Sequence, residues 1–163
     1  MSVAGRRLGI DLGDRRIGLA VAIENERPRG LPTMMRAAHA SGDAKRLAVI
    51  CKELRIDRIV IGLPLHSDGR ASLQSEQTIR WAEDVGKSLR LPMLFIDERY
   101  SSARAIEQVG RLGGGSGGGE PGPQKRAAYR ASIDQAAAKL ILEDESNGGL
   151  HVDLNVIRTG SGE

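Results

Sequence analysis

The chain has 163 residues, 40% of them hydrophobic and 28% charged, which is enough for one well-buried core and short for two. No stretch approaches the ~20 apolar residues of a membrane span, and no secretory apolar core follows the basic start Met1–Arg7, so a cytoplasmic protein without a membrane partner is expected. The net charge of +3 favours an anionic partner, while aromatics at 2% (Trp81, Phe95, Tyr100, Tyr129) argue against a stacking platform for single-stranded nucleic acid.

Arg6 to Asp11 reads as a strand with Leu8, Ile10 and Leu12 on one face and Gly9 and Asp11 on the other. Gly13-Asp14 makes a turn, and Ile17, Leu19, Val21 and Ile23 alternate along a second strand, completing a hairpin. Pro28, Gly30 and Pro32 mark a loop before a short third strand from Thr33 to Ala37. Ser41 and Asp43 carry an N-cap signal for a helix whose apolar stripe is Leu47, Ile50, Cys51 and Leu54. Cys51, the one cysteine, is therefore expected as a buried structural thiol in a reducing compartment.

Arg58 to Leu63 is a short apolar run that suits a buried parallel strand. Ser72 caps a second helix, Pro92 ends it, and Met93 to Asp97 forms another buried strand. Ser101 or Ser102 caps a third helix through about Leu112. The run Gly113 to Pro123 has no capacity for regular structure and reads as a flexible loop, since glycine loses the most entropy on ordering. A last helix covers roughly Ala131 to Glu145, with Ile133, Ala136, Ala137, Leu140 and Ile141 as its buried stripe. The polar tail 146–163 carries one apolar patch (Leu150, Val152, Leu154, Val156) able to add an edge strand. Two or three antiparallel strands followed by strand–helix alternation predict a single α/β domain over 1–145, a five-stranded mixed sheet with helices on both faces.

Three carboxylates lie at the ends of elements that this topology brings together. Asp11 is late in the first strand; Asp97 and Glu98 end the last core strand with side chains on opposite faces; Asp134 falls at the edge of the last helix's stripe. Hard cations such as Mg²⁺ or Mn²⁺ prefer carboxylate oxygens, water and phosphate, and can activate water at a phosphodiester. Clustered acids repel one another without a cation, so their convergence points to metal as its purpose. Arg15 and Arg16 sit in the hairpin turn beside Asp11, in reach of flanking phosphates. No serine or cysteine stands in a nucleophile elbow, no Cys/His spacing fits zinc, and the glycine run lacks the Gly-Lys-Ser/Thr end of a phosphate-binding loop.

GRRLGIDLGDRRIGLAVA, IVIGLPLHSDG, FIDERYSSARA and RASIDQAAAKLIL, in this order from about Gly5 to Glu145, resemble the motifs of the YqgF (RuvX-type) family. These are small proteins of ribonuclease H-like fold, associated with Holliday-junction resolution and with processing of ribosomal RNA precursors. The resemblance implies a metal-dependent nuclease that matures the 5′ end of precursor 16S ribosomal RNA, with Asp11, Glu98 and Asp134 as catalytic and metal-binding acids and Mg²⁺ or Mn²⁺ as cofactor. Cleavage of branched DNA by a junction resolvase uses the same acids, and a noncatalytic ribosome-assembly or RNA-binding factor keeps the same fold. Arg15, Arg16, Arg99, Lys125 and Arg126 are the expected nucleic-acid contacts, and a monomer or weak homodimer is the expected state. The chain departs from the family where a lysine- and arginine-rich segment usually precedes the last helix: here stands Gly113 to Gly119, with Lys125, Arg126 and Arg130 only afterwards.

Overall fold

The computed structural model describes residues 5–99, 101–110, 119–149 and 151–153. Its sheet is built from β1 (Arg6–Leu12), β2 (Arg16–Ile23), β3 (Arg29–Met35), β4 (Arg58–Leu63) and β5 (Met93–Asp97) in the order β3-β2-β1-β4-β5. β1 and β2 form the expected antiparallel hairpin, in which Asp11 faces Gly18, and β3 extends it antiparallel. β4 and β5 then add in parallel, so the sheet is mixed.

Helices α1 (Ala40–Glu53) and α2 (Leu73–Leu89) cover one face, where Leu8, Ile10, Ile17, Leu19, Ile59 and Ile61 pack with Leu47, Cys51, Trp81 and Val85. Helix α4 (Pro123–Ser146) covers the other, with α3 (Ser101–Val109) docked on it through Ala105, Ala136, Ala137 and Leu140. Strand alternation divides each strand between these two cores: Val21 faces α1 and α2, whereas Ala20 and Ala22 face α4 with Ala138, Ile141 and Leu142. Cys51 is buried as expected, and burial raises its thiol to about 11, so it is held protonated.

Four boundaries differ from expectation. The third strand begins at Arg29 and runs through Gly30 and Pro32, because it is the sheet's edge and an edge proline loses no ladder bond. Helix α1 starts at Ala40 after His39, without a side-chain cap. Asp43, read as a cap signal, is instead buried one turn in, where it accepts hydrogen bonds from the Ala37 amide and Trp81 Nε1 and pairs with Arg46. Helix α3 ends at Val109, before Gly110 with φ of +82°, rather than at Leu112, which lies outside the described residues. Helix α4 begins eight residues early, at Pro123, where a proline at its first position follows Gly122. Of the glycine run, residues 113–118 also lie outside the described residues.

The Ser72 cap is present as a reciprocal box with Ser75, and α2 ends at Arg90 in the left-handed conformation, two residues before Pro92. In the tail, His151 bridges Ile96 and the Val152 amide donates to the Phe95 carbonyl, so the chain does pair with β5 there. Leu150, Leu154 and Val156 lie outside the described residues. No described helix is long and apolar enough to cross a membrane.

Candidate active site

The strands under α4 are pared down to glycine where the helix crosses them. A Cβ added at Gly9 would stand 2.7 Å from the Ala138 carbonyl oxygen, and one at Gly18 would collide with the Asp134 carbonyl oxygen. The backbones therefore approach more closely than any side chain permits. This approach sets Asp134 over β2 beside Asp11, the register partner of Gly18. Gly62 does the same for Glu98: a Cβ there would meet Glu98 Cγ at 2.8 Å and Ile141 Cδ1 at 2.7 Å.

Glu98 is the most unusual acid of the chain. It follows β5, its amide donates to the Leu63 carbonyl at 2.9 Å, and its residue is only 4% exposed. Yet neither carboxylate oxygen meets an N–H or hydroxyl donor, and the side chain against it is another acid, Asp144, which it can meet only by sharing a proton. A buried polar group without a partner is costly and needs an explanation. Burial, then the Asp144 carboxylate against it and the field of Asp11, push this acid up to about 9, with Arg104 opposing. Asp11, half-buried, is pushed up to about 6 by burial and by the charge of Asp134. Each of these acids thus resists ionisation in the absence of a cation.

Asp134 already has a partner. Arg16 Nε donates to its Oδ2 at 2.7 Å, and the two line an open hollow of about 300 Å³ with Gly13, Asp14 and Arg15. At the other end of the row, Arg104 grips Asp144 with Nη1 to Oδ2 at 2.8 Å and Nη2 to Oδ1 at 2.9 Å. Against its own burial, these bonds hold the Asp144 carboxyl below the usual carboxylate range. The acids thus follow one another as neighbours, Asp134 beside Asp11, Asp11 beside Glu98 and Glu98 against Asp144, with an arginine on the first and the last. Among the described residues, no three acidic, histidine or cysteine side chains close into a ready-made cage for a metal ion. The three expected acids are gathered on one side of the sheet, but as a row.

Asp97 is not an unpaired acid: Arg99 Nε and Nη2 hold it at 2.8 and 2.6 Å, and Arg99 Nη1 reaches the Ser67 carbonyl at 3.0 Å. Arg99 thus ties the turn after β5 to the loop after β4. Arg15 is exposed beside the hollow, while Lys125 and Arg126 lie exposed in the first turn of α4, the latter donating to the Pro121 carbonyl. Those two stand about two turns of helix from Asp134, roughly 12 Å along the axis. Asp144 and Arg104 went unnoticed in the sequence. Asp144 stands three residues after Ile141, at the margin of the buried stripe, and that spacing was the available signal.

A family model described as "RuvX: Holliday junction resolvase" matches residues 5–145. Over 137 residues the chain is 38% identical to a protein of Synechococcus sp. named "Putative pre-16S rRNA nuclease", covering 83% of this chain and 85% of that one. A protein of the same name from Thermosynechococcus vestitus is 34% identical over 140 residues, covering 83% of each chain. Among solved structures, RuvC of T. thermophilus in complex with a Holliday junction substrate superposes with a TM-score of 0.50 at 13% identity, covering 88% of this chain and 94% of that one. That likeness makes the fold ribonuclease H-like. Taken with the motifs and the row of acids, the match over 5–145 means that the chain belongs to the RuvX family of Holliday junction resolvases, a family of nucleases.

Proposed function

We propose that this chain is a divalent-metal-dependent nuclease that processes the 5′ end of precursor 16S ribosomal RNA, with Asp11, Glu98 and Asp134 as its catalytic, metal-binding acids. The observation that carries the reading is Glu98, a carboxyl group 4% exposed whose two oxygens meet no N–H or hydroxyl donor and whose neighbour is a second acid, Asp144. An arrangement so costly is maintained for a ligand that such oxygens can hold, and a hard cation is the ligand that suits them. Asp11 is next to it in the row, and Asp134 becomes available when Arg16 turns away toward a phosphate. Mg²⁺ or Mn²⁺ held there supplies a Lewis acid and an activated water for phosphodiester hydrolysis. Arg15 and Arg16 at the hollow, with Lys125 and Arg126 at the start of α4, position the nucleic-acid backbone. The names borne by the Synechococcus and Thermosynechococcus relatives support precursor ribosomal RNA as the substrate. In this reading the protein acts in the cytoplasm as a monomer or weak homodimer.

A second reading, cleavage of branched DNA, is favoured by the family description and by the junction-bound RuvC. Incubating the pure protein in parallel with precursor 16S RNA, an unrelated RNA and a four-way DNA junction separates the two. The reading expects cleavage of the precursor RNA at its 5′ side. Cleavage of the junction alone, by a two-fold dimer, overturns it in favour of the resolvase. A protein that binds precursor RNA and cuts none of the three substrates is the noncatalytic assembly factor.

A further inference from the structure

We propose that Asp144 is a positioning residue of the active site: it holds the Arg104 guanidinium off Glu98, so that no resident cation occupies the buried acid in place of a divalent one. The inference rests on the metal-binding reading above and goes beyond its three acids. Arg104, on α3, reaches across to α4 and meets Asp144 with two donors at 2.8 and 2.9 Å. The same Nη1 stands 3.9 Å from Glu98 Oε2, an ion-pair distance too long for a hydrogen bond. The nearest cation to the buried acid is therefore aimed at another carboxylate.

Bidentate geometry explains why Arg104 stays there. Two parallel N–H to oxygen bonds fix the planar fork in direction as well as in place. Asp144 is suited to the task by its position: its side chain is 21% exposed and meets the 43% exposed Arg104 outside the buried pocket of Glu98. Without Asp144, the Glu98 carboxyl 3.9 Å away is within reach of the guanidinium, and a small rotation brings Nη1 onto Glu98 Oε2. A resident guanidinium on Glu98 then competes with the metal for the same oxygens. The arrangement mirrors the other end of the row, where Arg16 already sits on Asp134.

The test is a double-mutant cycle read by Mn²⁺ binding in isothermal titration calorimetry, on the full chain, with melting curves to verify folding. Asp144→Asn is expected to weaken Mn²⁺ binding about tenfold or more, as loss of an outer partner of a metal ligand does. Arg104→Met alone is expected to bind Mn²⁺ at least as tightly as the unmodified protein. In the Arg104→Met background, Asp144→Asn is expected to change the affinity by no more than about twofold, the limit of additivity error. An equal loss in both backgrounds makes Asp144 a mere contributor of negative charge and overturns the proposal. Weaker Mn²⁺ binding by Arg104→Met overturns it independently, and that variant serves where Asp144→Asn fails to fold. Failure of the underlying reading has a different signature: Mn²⁺ binding that is absent, or unaffected by Glu98→Gln, removes the metal site itself and the clamp with it.

Discussion

Gly18 and Asp134 are in backbone contact: a Cβ on the strand residue would collide with the carbonyl oxygen of the helix residue. This one approach brings α4 down onto the hairpin and puts its acid beside Asp11. Gly18→Ala is therefore expected to lift the helix, destabilising the protein by about 1–3 kcal/mol as overpacking does. It should also reduce cleavage more than stability alone explains, because Asp134 moves with the helix. Urea unfolding and turnover on the same preparation check both parts; a variant with unaltered stability and rate contradicts the close-packing account.

At the far end of α4, Glu145 stands between two arginines. Its Oε2 accepts from Arg7 Nη1 at 2.7 Å, and its Oε1 is 2.6 Å from Arg58 Nη2, with Arg7 and Glu145 both buried. Removing one partner of a buried pair strands the other charges. Glu145→Ala is expected to cost about 3–5 kcal/mol in urea unfolding. A cost below about 1 kcal/mol means that the arginines find water or another acceptor.

Much of this was legible in the sequence because local rules and tertiary structure agreed. Pro64 closes the run Arg58–Leu63 and Pro92 opens Met93–Asp97, so their strand limits coincide with expectation; the first is buried as expected, but the second is a half-buried strand, because it is the sheet's other edge. Asp11 and Glu98 were placed by strand ends alone. The misses have a common cause in tertiary context. Pro32 reads as a breaker unless its strand is known to be an edge, and residues 123–130 of α4 carry no apolar stripe to betray a helix. The arginine pairings of Asp134 and Asp144 bridge 118 and 40 residues of chain, distances over which no periodicity speaks.

The raised acids make a prediction about pH. Asp11 titrates at about 6 in the fold against an ordinary 3.8, and Glu98 at about 9 against 4.5. The folded protein therefore binds more protons than the unfolded chain between each pair of values. The stability these acids contribute is present below the ordinary values and lost as pH rises through the folded ones. In EDTA, the melting temperature is expected to fall between about pH 5 and pH 9, and added Mg²⁺ to restore it at the alkaline end. A melting temperature that climbs over that interval without metal contradicts the assignment.

Cleavage assayed with Asp11→Asn, alongside the unmodified protein in Mn²⁺ and in EDTA, tests the carboxylate–metal site most directly. The substitution removes a charge that the fold resists, so folding should be intact or slightly strengthened at pH 8. Metal-dependent cleavage by the unmodified protein, with loss of about a hundredfold or more in the variant, is the expected result. Undiminished cleavage by the variant, or full activity in EDTA, contradicts it.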